Sequence, residues 1–140
     1  MYLKDLRLGN IVLHFNNLGE KDPYYIYSEV IGFCGAQNVI LMECYRKNGE
    51  DIVFRKIYEV DKLRGFPLTP KILKNNGFKS NICNSIEKDG KRIGLFRSPE
   101  NEKVYLRLQL TYDSRKVFKY VHEFQNFLNL IGLDDELKIE

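Results

Sequence analysis

The segment KYVHEFQNFLNLIGLDDELKI, residues Lys119–Ile139, predicts how the second half of the chain folds. Together with the residues just before it, this segment carries apolar side chains at helical spacing: Val117, Val121, Phe124, Leu128 and Ile131. A single apolar stripe predicts a helix that packs with that side against a sheet. Gly132 is a typical helix end, and the DELKI that follows predicts a short edge strand.

The side of this helix away from the apolar stripe is almost uncharged. It carries four neutral polar residues that lie within reach of one another on a helix: His122, Gln125, Asn126 and Asn129. Neutral groups are favoured where water is partly excluded, because burying an amide costs less free energy than burying a charge. Two interpretations stay open. These residues either clamp the helix to a neighbouring loop or lobe, or form a contact surface for a protein or ligand.

The clearest predicted strand covers residues 103–111, where apolar and polar side chains alternate. Its apolar side is formed by Val104, Leu106, Leu108 and Leu110. Such alternation is typical of an antiparallel sheet with one buried and one solvated face. Two earlier strands, SNICNSIE and KRIGLFR, flank Asp89-Gly90, which suits a hairpin turn. We therefore expect an antiparallel three-stranded meander packed by the C-terminal helix.

The first half of the chain is predicted to consist of strands. Aromatic and β-branched runs occupy residues 11–15, 24–33, 38–45 and 51–60, and Asn48-Gly49 between the last two fits a type I′ turn. The opening LRLGNIV is similar to the first strand of SH3-like barrels. After these strands, Thr69 and Pro70 can begin a short helix and Asn76-Gly77 can end it.

These patterns predict an α+β fold in two parts. Residues 1–65 form an N-terminal SH3-like β-rich lobe, and residues 66–140 comprise the short helical joint, the meander and the C-terminal helix. Because 140 residues suffice for one full core or for two small lobes sharing one, we expect the parts to pack as one compact unit.

Composition excludes several classes of protein. With 44% hydrophobic and 29% charged residues, the chain is globular rather than disordered or fibrous. No apolar run approaches the roughly 20 residues that span a membrane, and the first ten residues lack the apolar core of a signal peptide. We therefore expect a cytoplasmic protein without membrane contact.

The residues that carry catalytic and metal chemistry form no recognisable pattern. There is no glycine-rich phosphate loop, no GxSxG and no HExxH. The cysteines, Cys34, Cys44 and Cys83, have neither disulfide-framework nor zinc-site spacing, so we expect reduced, buried thiols. We predict no cofactor and no metal, and a protein that is not an enzyme.

Charge is distributed unevenly along the chain. Residues 71–119 hold twelve Lys and Arg against five Asp and Glu, while the last 21 residues are acidic. These regions can attract each other within one fold, or leave a basic face for an acidic partner. A sheet face with an aromatic among cations is also typical of single-strand-binding proteins. The candidate nucleic-acid face consists of Arg92, Phe96, Lys103, Tyr105 and Arg107, although Tyr105 can equally be an ordinary cross-strand packing residue.

Three blocks in the same order, LRLGN, GFPLTPKILKNNGF and YVHEFQNFLNLIG, resemble a family of small uncharacterised proteins of Bacteroidetes and their phages and mobile elements. Members carry an LRIGN-like start, a GIPLTEEWLLKFGF-like joint and a YVHQLQNLYFALTGEEL-like end. The chain differs in having Phe124 where leucine is usual, and it lacks the tryptophan often found in the joint. The recurring residues of the last block fall on Tyr120, Val121, His122, Gln125, Asn126 and Gly132. The resemblance implies a shared fold and no established activity.

Three functional hypotheses follow. The leading one is a non-enzymatic binding or accessory module, of phage or mobile-element type by resemblance, that contacts another protein. The first alternative is single-stranded nucleic-acid binding through residues 71–119 around Tyr105. The second is a small enzyme that uses His122 as a proton carrier, which requires a concave pocket around that side chain.

Overall fold

The computed structural model describes residues 1–16, 24–80, 85–97, 104–107 and 115–139. Within these ranges the chain forms two antiparallel sheets of five strands and two α-helices. The predicted α+β class is confirmed. None of the helices in the described ranges is long and apolar enough to cross a membrane.

The first sheet is built from the first half of the chain, in the order β4-β3-β2-β1-β5. Its strands are β1 (Ile11–Asn16), β2 (Tyr24–Cys34), β3 (Asn38–Lys47), β4 (Glu50–Glu59) and β5 (Arg64–Gly65). The first four are the four strands that the sequence predicts. Asn48 and Gly49 join β3 to β4 with φ of 53° and 80°, as a type I′ turn requires. A 3₁₀ turn at Val60–Lys62 then returns the chain so that β5 pairs with β1.

The inner face of the first sheet encloses the first core. That core is formed by Leu6, Val12, Val30, Val39, Leu41, Val60 and Leu63. A register shift between Val30 and Gly32 marks a bulge in β2, which increases the local bend and twist of the sheet. Cys34, at the end of β2, is a free and exposed thiol, so the prediction that it is buried is wrong. The Cys44 side chain and Cys83 lie outside what the structure describes.

The joint folds as its sequence predicts. Helix α1 (Pro70–Asn75) begins after Thr69, whose hydroxyl accepts a hydrogen bond of 3.3 Å from the Ile72 N–H. It ends at Gly77, where φ is 82° and the Phe78 N–H donates to the Leu73 carbonyl at 3.0 Å, a Schellman ending. Ile72 and Leu73 are buried in the second core.

The second sheet has five strands in chain order, two more than the three we predicted. They are β6 (Lys79–Ser80), β7 (Ser85–Lys88), β8 (Lys91–Arg97), β9 (Val104–Arg107) and β10 (Arg115–Phe118). Asp89 and Gly90, with φ of 53° and 75°, form the predicted turn between β7 and β8. Of the predicted strand at 103–111, residues 103 and 108–111 lie outside the described ranges.

Helix α2 (Val121–Leu130) buries Val121, Phe124 and Leu128 completely. The Phe124 ring meets Phe78 and Phe118, with ring centroids 5.2 and 5.7 Å apart. Including Val117 in the helical stripe was wrong, because Val117 belongs to β10, which ends three residues before the helix begins. Ile131 was also assigned to the stripe, but it is 44% exposed. The helix ends at Gly132 in a second Schellman motif, with the Leu133 N–H donating to the Leu128 carbonyl at 2.9 Å.

The C-terminal DELKI forms no strand, contrary to the prediction. The backbone of Lys138 is instead held by the Asn76 side chain, whose Oδ1 accepts from the Lys138 N–H at 2.7 Å. Its Nδ2 donates to the Lys138 carbonyl at 2.8 Å. The Asn76 amide thus provides the donor and acceptor that a neighbouring strand would supply, and Leu137 is buried in the second core.

Candidate functional site

The four polar residues of α2 that the sequence predicts as a clamp or contact surface are called here the amide strip: His122, Gln125, Asn126 and Asn129. Gln125 is the best-connected member, and it is 3% exposed. Its Oε1 accepts from the Ile11 N–H at 2.9 Å, and its Nε2 donates to the Gly9 carbonyl at 2.9 Å and to the Asp135 carbonyl at 3.1 Å. One side chain therefore joins the first lobe, α2 and the C-terminal tail.

Asn126 extends the same connection toward the N-terminus. Its Nδ2 donates to the Asp5 carbonyl at 2.8 Å, and its Oδ1 accepts from the Asn10 side chain at 3.0 Å. Asn10 is itself buried, and its Oδ1 accepts from the Arg7 N–H. Asn129 is exposed, and its Nδ2 donates to the Asp135 carboxylate at 3.2 Å. Gln125 and Asn126 thus have the hydrogen bonds that the clamp interpretation requires, whereas Asn129 lies at the margin.

His122 lies on the other side of these contacts, at a cleft between the lobes. This inter-lobe cleft, about 460 Å³ in volume, is lined among others by Tyr2, Asp5, Tyr25, Arg64, Tyr120 and His122. His122 is 4% exposed, and its buried Nδ1 has no hydrogen-bond partner among the residues that the structure describes. Burial lowers the pKa of His122, and the nearby carboxylates of Glu123 and Asp5 oppose this only in part. The ring is therefore neutral at pH 7.

Tyr120 forms one wall of the inter-lobe cleft and is fixed from two sides. Its ring stacks on His122 with centroids 5.7 Å apart and an interplanar angle of 10°. It also covers the backbone of Gly65, where a Cβ would approach the ring to 2.3 Å. The Val121 N–H donates to the Phe66 carbonyl at 2.8 Å, so the start of α2 is held directly against the residues after β5.

Beyond the cleft, the outer face of β1 and β2 presents a group of exposed aromatic residues beside an arginine. We call this group the aromatic surface: Phe15, Tyr25, Tyr27 and Arg64. The strand register places Phe15 opposite Tyr25 and Leu13 opposite both Tyr27 and Arg64. The Arg64 guanidinium lies 4.9 Å from the centre of the Tyr25 ring, and Phe15 meets Tyr25 edge-on. Sequence analysis assigned the three aromatic residues only to strands and singled out none of the four.

The residues of the predicted nucleic-acid face occupy neighbouring strands of the second sheet. Phe96 pairs with Tyr105, which pairs with Val117 on its other side. Arg107 pairs with Arg115. Because Arg107 follows Tyr105 by two residues on β9, the backbone places this pair of arginines next to Tyr105 on the same face of the sheet. Arg92 lies on β8, next to the strand that carries Arg107, and pairs with Glu87 of β7; Lys103 lies outside the described residues.

A buried polar cluster around His14 in the first core was not singled out by sequence analysis. Nε2 of His14 lies 2.9 Å from Ser28 Oγ and 3.4 Å from Glu43 Oε1. The Tyr58 hydroxyl donates to the same carboxylate. Burial lowers the pKa of His14 despite Glu43, and burial together with the Glu43 hydrogen bond raises that of Tyr58. The available signal was a set of polar residues in otherwise apolar strands.

This cluster does not have the geometry of a nucleophilic triad. In a triad the carboxylate and the nucleophile contact opposite ring nitrogens, whereas here Ser28 and Glu43 both approach Nε2, and within the described part of the chain Nδ1 has no partner. His14, Ser28 and Glu43 are all buried, so substrate has no access to them. Within the described ranges, no group of three His, Cys, Asp or Glu side chains is placed to hold a metal ion.

Replacing Gln125 with alanine tests the clamp. We expect Gln125→Ala to lower the free energy of unfolding by about 2 kcal/mol, because the Ile11 N–H and two carbonyls lose their partner in a place that water reaches poorly. Asn129→Ala, on the exposed margin, is the matched control and should change it by less than about 0.5 kcal/mol. Urea denaturation measures both. Equal, small effects would contradict the clamp and favour a contact surface.

The two buried histidines predict acid sensitivity. Both have pKa values lowered in the folded protein, so the unfolded chain binds more protons once the pH falls below about 6.5. Stability is therefore complete above that pH and decreases below it, by at most about 1.4 kcal/mol per histidine and pH unit. The urea concentration at the midpoint of unfolding should be lower at about pH 5.5 than at about pH 7.5. His122→Leu should remove part of that difference. A pH dependence unchanged by this substitution would contradict the assignment.

Comparison of the chain with protein-family models, with curated proteins and with solved structures finds no match in any of the three.

Proposed function

We propose that this chain is a non-enzymatic binding module that contacts another protein through the aromatic surface and the adjoining inter-lobe cleft. The observation that carries the proposal is the exposure of Phe15, Tyr25 and Tyr27, each about 40% exposed, around Arg64. Tyrosine and arginine are the side chains that contribute most to binding energy at protein interfaces. Phe15 meets Tyr25 edge-on and Tyr27 meets Phe66 edge-on, so these rings are partly ordered before binding and lose less conformational entropy on contact with a partner.

The cleft adds a depression beside this surface. Tyr2 and Tyr120 line it, and Asp5 and Glu123 add acidic groups to a lining that also contains Arg64. A partner segment with an apolar side chain and a basic group would therefore find complementary chemistry there. His122 supports the enzyme hypothesis less well, because its imidazole is almost fully buried against Tyr120.

The finer architecture is part of this proposal. The order β4-β3-β2-β1-β5, with a 3₁₀ turn just before the strand that pairs with β1, supports an SH3-like barrel for residues 1–65. Consecutive pairing of β6 to β10 supports a meander packed by α2. The assignment to a phage or mobile-element accessory role is supported by the sequence resemblance alone.

Panning a random peptide library on the immobilised protein tests the proposal. Selected peptides should lose at least about tenfold in affinity for the Tyr25→Ala/Arg64→Ala variant, as expected when central aromatic and arginine contacts are truncated. The control variant, Phe33→Ala/Lys71→Ala, removes an exposed aromatic and a cation from other parts of the surface. Selection of no peptide, or equal losses in both variants, would contradict the proposed surface.

Single-stranded nucleic-acid binding is the second candidate function, and one observation favours it. The backbone register of the second sheet aligns Phe96 with Tyr105 and places the pair Arg107 and Arg115 at the next position on the same face. Aromatic residues that stack on bases, next to cations that neutralise phosphates, are the components of sequence-tolerant single-strand binding.

Titration of labelled single-stranded and duplex oligonucleotides at about 50 mM and about 200 mM salt tests this candidate. The single strand should bind more tightly, and its affinity should fall steeply as salt increases. Arg107→Ala should reduce the salt dependence, whereas Tyr105→Ala should weaken binding at both concentrations. Tyr25→Ala, in the other lobe, is the control. Failure to bind at the lower salt concentration would exclude this function.

A further inference from the structure

The charges of β4 are antisymmetric about Val53: each acidic residue before it has a basic residue at the same distance after it. Residues 50–56 are EDIVFRK: two acids, three apolar residues and two bases. When such a strand pairs antiparallel with a second copy of itself, acids meet bases at both ends and apolar residues meet in the middle. Cross-strand pairs of this kind stabilise a sheet, and like charges directly opposite destabilise it.

The position of β4 makes this pairing accessible. Among the residues that the structure describes, β4 is the terminal strand of the first sheet and pairs with β3 on one side. Val53 and Ile57 are more than half exposed, and Met42 on the neighbouring strand is 41% exposed. Natural proteins protect edge strands that carry exposed apolar residues, because such edges pair readily with other strands. This edge carries an apolar centre, so a specific partner strand is the natural cover for it.

The backbone of β4 restricts the register of such a pair. Lys47 and Glu50 flank the two-residue turn and form a hydrogen-bonded pair, and pairing with β3 continues without a shift along the strand. Hydrogen-bonded and non-bonded pairs alternate in an antiparallel ladder. The N–H and C=O groups of Glu50, Ile52, Phe54 and Lys56 therefore face β3. Those of Asp51, Val53, Arg55 and Ile57 face the opposite edge of β4.

Any register that matches edge-facing residues with edge-facing residues can form the new ladder, whichever residue lies at the axis, and charge distinguishes among them. Centring on Val53 places Asp51 opposite Arg55 and Glu50 opposite Lys56, each pair occurring twice by symmetry. Centring on Arg55 instead places the two arginines opposite each other and Asp51 opposite Glu59. Centring on Ile57 retains only the pair between Arg55 and Glu59. The register centred on Val53 has the most attractive pairs and no like-charge pair.

We propose that the protein forms a two-fold symmetric homodimer in which β4 pairs antiparallel with β4 of a second copy, centred on Val53. The occupant of this edge is a second copy because the edge is complementary in charge to itself. The two five-stranded sheets become one continuous ten-stranded sheet, with Ile52 opposite Phe54 at the positions next to the axis. This inference is independent of the proposed binding function, since the aromatic surface lies at the other side of the sheet.

Sedimentation equilibrium over a range of concentrations, with charge-exchange variants, tests the dimer. The wild-type protein should associate to a dimer and no further. Asp51→Arg and Arg55→Asp should each weaken the dimer about tenfold or more, since each places like charges opposite at two symmetric positions. The double variant Asp51→Arg/Arg55→Asp should restore association. Circular dichroism and urea unfolding verify that each variant folds.

Disulfide trapping distinguishes the registers. In a Cys34→Ser/Cys44→Ser/Cys83→Ser background, Val53→Cys should form an intermolecular disulfide readily, because opposite Cα atoms in a hydrogen-bonded pair are about 5.5 Å apart. Ile57→Cys in the same background should not. A monomer at all concentrations, a double variant that stays monomeric, or cross-linking at position 57 rather than 53 would each overturn the proposal.

Discussion

The side-chain amide of Gln125 is the contact on which the arrangement of the two lobes depends. Its oxygen and nitrogen bind backbone groups of residues 9–11 and of Asp135 at the same time, so the β1 entry, helix α2 and the tail meet at one buried point. A charged residue could not take this role, because a carboxylate only accepts and an ammonium only donates, and either would carry a large desolvation cost. The neutral amide supplies both functions at once. This explains why the helix lacks charge on that side.

The same contact determines where the open surfaces lie. Because residues 5–11 are tied to α2, Ile11 packs against the second core, while Phe15 and Tyr25 further along the same strands stay exposed. Tyr120 packs on Gly65 and stacks on His122. Its ring forms one wall of the inter-lobe cleft. Among the described residues, Nδ1 of His122 has no hydrogen-bond partner, which is an energetic cost of this packing, and burial at the same place lowers the pKa of the ring.

Features with a local cause could be predicted from the sequence. The turns at Asn48-Gly49 and Asp89-Gly90, the Thr69 cap and the Gly77 and Gly132 helix ends all depend on residues within one turn of the chain. The predictions were wrong where contacts with residues distant in the sequence determine the local structure. Val117 has helical spacing to Val121 but pairs with Tyr105 in the sheet, and the tail finds the Asn76 side chain instead of a strand. The amide strip could be recognised from its lack of charge, but its partners at residues 5–11 could not, since they lie more than 110 residues away.

The order of the first sheet separates its two candidate interfaces. β4 is at one edge, whereas the aromatic surface lies on β1, β2 and β5 at the other. Pairing through β4 would therefore leave the aromatic surface of each copy uncovered, on the two ends of one continuous sheet. Two identical binding surfaces on a rigid body raise the effective affinity for any partner that presents repeated sites, without new contacts at either surface. A weak protein contact at a small aromatic surface then suffices for stable attachment, because the geometry of the sheet holds the second surface close once the first is bound.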